Sequence, residues 1–153
     1  MTWRAVLIAG MAAGTILLLT NIILMMPVLQ VGPLLVLRYF AALVLGTGIL
    51  TRNDNVALVA ITAILLHFIF SLVFTLLICV VIHRWGLLVG LIGGALLGLA
   101  IYGINLYTMT VFFPWFFAIH NNVLLLSHVL FGAVAGGVYE LFDHYDLPIS
   151  TKE

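Results

Sequence analysis

Apolar residues fill this chain in four long blocks and one short one, parted by brief polar punctuation. The first block runs from Ala5 to Met26, between Arg4 and Pro27, and is 22 residues long. About 20 apolar helical residues cross a bilayer, so this block suits one span. A basic residue ahead of an apolar run also marks secretory leaders, but their cores are about 7–15 residues and end in a small-x-small cleavage site. This block is longer and no such site follows, so it reads as a retained helix.

Pro27, Gly32 and Pro33 then interrupt the helical pattern. Leu34 to Leu50 resumes it for only 17 residues, with Arg38 near the start. An Arg at the bilayer centre costs about 2.5–3.5 kcal/mol, whereas one near a helix end snorkels to the headgroups. An interfacial or re-entrant helix is therefore expected over 34–50, rather than a fifth span. Asn53, Asp54 and Asn55 form a polar turn with N-cap chemistry. Val56 to Ile82 follows as a 27-residue run, roughly 40 Å of helix, which must tilt or protrude.

His83, Arg84, Trp85 and Gly86 make the next turn. Beyond it, Pro114 sits among Phe112, Phe113, Trp115, Phe116 and Phe117, a composition suited to an interfacial loop over 108–120. The flanking spans are expected at Leu87–Tyr107 and Asn121–Phe142, with a polar tail over 143–153.

Charge sharpens this picture. Trp85 through Tyr139, 55 residues, contain no Lys, Arg, Asp or Glu, where a water-facing surface carries about a quarter charged residues. Hydrophobic residues make up 65% of the chain and charged residues 7%. The expected fold is an all-α, polytopic transmembrane helix bundle forming a single integral membrane domain, with four spans plus one short helix. The lipid bilayer is its first partner. Arg4, Arg38, Arg52, Arg84 and Lys152 are scattered, which gives nucleic acid no patch. Cys79 is the only cysteine, so no disulfide forms within the chain. With the N-terminus inside, Arg4, Arg84 and Lys152 are cytoplasmic against Arg38 and Arg52 outside. That slender positive-inside margin places both termini in the cytoplasm.

Small residues recur every fourth position: Gly10 and Gly14, then Gly90, Gly94 and Gly98, then Gly132 and Gly136. In lipid, close backbone approach does much of the work of association. These faces are expected to pack the bundle, with docking of another membrane protein or a second copy as the alternative.

Polar residues within the blocks are fewer. His67 and Ser71 share one helical face, His128 lies at a similar depth, and Asn105 and Arg38 complete a candidate intramembrane site. Three readings of the histidines are open: neutral rings hydrogen-bonded inside the bundle, a proton or polar-solute path, and haem or metal ligation. No metal site or cofactor is expected, because only two histidines are deep and no carboxylate lies near them. His83, His120 and His144 are expected to meet water or headgroups, and Glu140, Asp143 and Asp146 to form a solvated helix end. Nucleophile motifs, phosphate loops and zinc motifs are missing from the sequence, so no enzyme activity is expected.

His67-Phe68-Ile69-Phe70-Ser71-Leu72-Val73-Phe74, Gly93-Gly94-Ala95-Leu96, Pro114-Trp115 and Ser127-His128-Val129-Leu130-Phe131-Gly132 occur in this order. Arg38-Tyr39 to Leu45-Gly46 precedes them. The arrangement resembles small bacterial inner-membrane proteins of the YagU type and related short membrane proteins, over about Leu34 to Phe142. The segment between the first two spans is shorter here. The resemblance implies a bacterial inner membrane and a four-span core with His67 and His128 as marked positions, and it brings no reaction. The functional expectation is a non-catalytic accessory or structural membrane component. The alternatives are a small transporter or proton conductor and, behind it, a haem-carrying electron-transfer protein.

Overall fold

A computed structural model describes residues 1–51 and 55–145, together with all their side chains but those of Leu29, His144 and Tyr145. Five α-helices form: α1 (Trp3–Leu29), α2 (Pro33–Leu45), α3 (Val56–Ile82), α4 (Leu87–Phe112) and α5 (Asn122–Tyr145). Short 3-10 turns follow α2 at Thr47–Leu50 and α4 at Pro114–Ile119. The chain is an all-α bundle in which α1, α3, α4 and α5 are long and apolar enough to span a membrane. With 13 residues, α2 reaches about 20 Å and falls short of the roughly 30 Å hydrocarbon core.

Several boundaries differ from expectation for local reasons. α1 continues through Pro27 to Leu29. Proline so close to a helix end forfeits one backbone bond and little else. Gln30, in the left-handed conformation at φ 57°, then closes the helix by donating its N–H to the carbonyls of Met25 and Met26. The expected helix over 34–50 breaks at Gly46, whose φ of 82° favours glycine. α4 extends to Phe112, past the expected end at Tyr107. α5 runs through Asp143 to Tyr145, into the expected polar tail. Asn55 caps α3 as foreseen, its Oδ1 accepting from the N–H groups of Ala57 and Leu58. The expectations for Arg52, Asn53, Asp54, the His144 side chain and residues 146–153, Lys152 included, lie outside the described residues.

Both described ends of the chain meet at one end of the bundle, where the Thr2 N–H donates to Asp143 Oδ1 at 2.7 Å. The near half, below that end, is packed with Ala5, Ala9 and Ala13 of α1 against Ile78, Ile82, Phe131, Ala135 and Tyr139. In the far half, α2 lies on α3 through Ala41, Ala42, Val59 and Ala63. Large apolar side chains stay exposed along α3 and α4, among them Ile61, Ile69, Val73, Ile92, Leu96 and Ile104. Such a surface suits lipid and not water.

All seven glycines of the expected packing faces are buried within the chain. Gly10 and Gly14 rest on α3 near Leu72 and Ser71, and the α4 stripe interlocks with Gly132 and Gly136 of α5. Any contact between chains would therefore have to use other surfaces.

Candidate functional site

The glycine stripe explains where the interior opens. Gly90, Gly94 and Gly98 continue, at the same spacing, into Tyr102 and Leu106, and all five are buried. Glycine lets the α4 and α5 backbones touch in the near half, and the bulk of Tyr102 and Leu106 forbids it in the far half. There a cavity of about 60 Å³ opens between the helices.

His67, Ser71, Asn105 and His128 all line this cavity, together with Tyr102. Three helices distant in sequence thus bring four of the five predicted residues together. Arg38 is not among them. On α2, Val36, Phe40 and Leu43 face the cavities at helical spacing, and Arg38 lies roughly 200° around the helix from Val36. Its Nε is buried without a hydrogen-bond partner among the described residues.

Each histidine is fixed by a backbone carbonyl. His67 Nε2 lies 2.8 Å from Gly14 O, and His128 Nδ1 lies 2.8 Å from Leu124 O. A carbonyl only accepts, so each of these nitrogens carries hydrogen, and the other nitrogen of each neutral ring is a bare lone pair. Ser71 donates to the His67 carbonyl at 2.8 Å. Asn21 donates to Leu17 O at 2.8 Å and to Ser127 Oγ at 3.0 Å, tying α1 to α5. Asn21 also borders a second void of about 10 Å³, which shares His67 and His128 with the first.

The polar groups form a layer across the bundle. At 1.5 Å per residue, His67 lies about 16 Å from the far end of its helix, Tyr102 about 15, Asn21 about 12, Asn105 about 10 and His128 about 9. Toward the near end the space is filled by Phe131, Ala135 and Tyr139 with the alanines of α1.

Glu140 and Asp143, expected in a solvated helix end, depart from that reading, Asp143 being 12% exposed. Glu140 is 2% exposed, not solvated. Its carboxylate accepts from the Arg84 N–H at 3.0 Å and the Gly86 N–H at 3.1 Å, closing the turn between α3 and α4. His83 is half-buried, with Nδ1 at 2.5 Å from Tyr139 Oη and 3.3 Å from Asp143 Oδ2.

Tyr102 is the site residue that sequence reasoning missed. Its hydroxyl is buried without a partner among the described residues, and its ring meets His128 at 5.5 Å. The signal was present: Tyr102 continues the four-residue stripe of Gly94 and Gly98.

No family model, curated protein or solved structure matches the chain.

Proposed function

We propose that this chain is a non-catalytic multi-pass membrane protein whose working part is the far-half cavity, a chamber that holds a small polar guest within the bilayer. The observation that carries this is the convergence of His67, Ser71, Tyr102, Asn105 and His128 on one void. Intramembrane polar groups are costly and are ordinarily paired. Here Tyr102 Oη and one nitrogen of each imidazole find no partner among the described residues. A void of about 60 Å³ has room for about two waters at the roughly 30 Å³ each takes in the liquid. The layered arrangement favours holding a guest over conducting protons through the membrane, which needs polar groups spread along the normal.

Water-edited solid-state NMR of the protein in bilayers tests the proposal. Magnetisation transfer from water to both imidazoles is expected, and dry imidazoles would refute it. Proton flux into proteoliposomes, compared with His67→Ala and His128→Ala, tests the conducting alternative.

The accessory reading stands second. It is favoured by α4, whose apolar span is only 22% buried although the helix is central to the glycine seam. Stoichiometric co-purification of a partner in mild detergent would support it. A bacterial inner membrane, which the YagU-type resemblance implies, and cytoplasmic termini, which the positive-inside margin favours, belong to the same proposal. The meeting of Thr2 with Asp143 at one end supports the even number of spans.

A further inference from the structure

The unpartnered polar atoms around the chamber share a chemical character. In the neutral rings, Nδ1 of His67 and Nε2 of His128 are acceptors only, because the other nitrogen of each donates to a backbone carbonyl. Asn21 uses its amide hydrogens on Leu17 O and Ser127 Oγ, leaving Oδ1 as an unpartnered acceptor on the adjoining void. Against these stands one hydroxyl, that of Tyr102, 7% exposed and free to donate. The Asn105 amide can present either end. Among the described residues, no Lys, Arg, Asp or Glu lines either void.

Resting on the chamber reading above, we infer that the guest is a small uncharged amine, ammonia or a one-carbon primary amine. Such a molecule offers at least two N–H groups to the two imidazole lone pairs, and its own lone pair accepts from Tyr102 Oη. Tyr102 Oη and both imidazole lone pairs then each have a partner. A guest that only accepts would set lone pair against lone pair. An anion would meet two such lone pairs and a single hydroxyl. An ammonium ion would lose its hydration with no carboxylate to offset a cost of several kcal/mol. The amine therefore leaves its proton in the aqueous phase and enters neutral, and the protein itself moves no proton. Scaled from benzene in about 150 Å³, the chamber takes two or three heavy atoms.

The test uses histidine-labelled full-length protein in bilayers, titrated in turn with methylamine, acetonitrile and formate. The ¹⁵N signals of His67 Nδ1 and His128 Nε2 are followed. Methylamine is expected to shift both saturably, with apparent affinity rising about tenfold per pH unit while the amine is mostly protonated. Tyr102→Phe, which keeps the ring, is expected to weaken that binding. If acetonitrile or formate shifts the signals and methylamine does not, the chamber reading stands and the amine assignment is overturned. If none of the three shifts either signal, both fall. Methylamine affinity independent of pH would also overturn the assignment, because it would mean that the cation binds.

Discussion

Gly94 and Gly132 face each other so closely that the carbonyl oxygen of each occupies the place where the other's Cβ would stand. Gly90 and Gly136 repeat the relationship one turn away. The obstacle is backbone on backbone, so no rotamer change can relieve an added methyl. Gly132→Ala is expected to destabilise the bundle by about 1–3 kcal/mol, the usual range for overpacking. Gly103→Ala is the control, since its Cβ would meet nothing within 4 Å. Reversible SDS unfolding in mixed micelles measures both, and an unchanged midpoint for Gly132→Ala would argue against the seam.

The two deep histidines are held as opposite tautomers, hydrogen on Nε2 in His67 and on Nδ1 in His128. Ring ¹³C and ¹⁵N shifts should report one of each at neutral pH. Gly14→Ala should disturb His67 first, because a Cβ there would come within 2.8 Å of Ser71 Oγ. Two rings of the same tautomer would contradict the assigned hydrogen bonds.

Asn21 and Ser127 join α1 to α5 across 3.0 Å in a buried setting. Interhelical hydrogen bonds in membranes average about 0.6 kcal/mol in double-mutant cycles. An Asn21→Ala, Ser127→Ala cycle should return a coupling of that order. A coupling indistinguishable from zero would remove this pair from the account of how α1 is held.

Much of the fold was legible because lipid imposes a simple rule: apolar runs of sufficient length become spans, and the turns between them carry the polar residues. Asn55 announced its cap, and the four-residue glycine rows announced the seam. The convergence of His67, Ser71, Asn105 and His128 was legible as a list of polar residues, though not as a cavity. Void formation depends on where the stripe changes from glycine to Tyr102, which is a matter of side-chain volume across two helices. Arg38 was misplaced because composition alone does not say which side of α2 faces inward. Glu140 was misread because an acid near a span's end is ordinarily solvated, and its partners are backbone N–H groups 54 and 56 residues earlier.

Removing the Glu140 carboxylate should cost more than a surface change. Glu140→Ala strands two part-buried backbone donors in a turn where Arg84 and Gly86 both take positive φ, 70° and 85°. Leaving buried donors unsatisfied costs about 1–3 kcal/mol. Glu140→Gln keeps one carbonyl acceptor and should fall between wild type and Glu140→Ala. Equal stability of all three proteins by SDS titration would refute the cap.

That cap also sets an order of assembly. As the chain leaves the ribosome, the loop at Arg84 and Gly86 emerges well before its acid does. The hairpin of α3 and α4 therefore enters the bilayer with its turn unfinished, and it is locked only when the last helix arrives. A nascent chain arrested before residue 140 should hold that hairpin open to proteases, and release of α5 should close it.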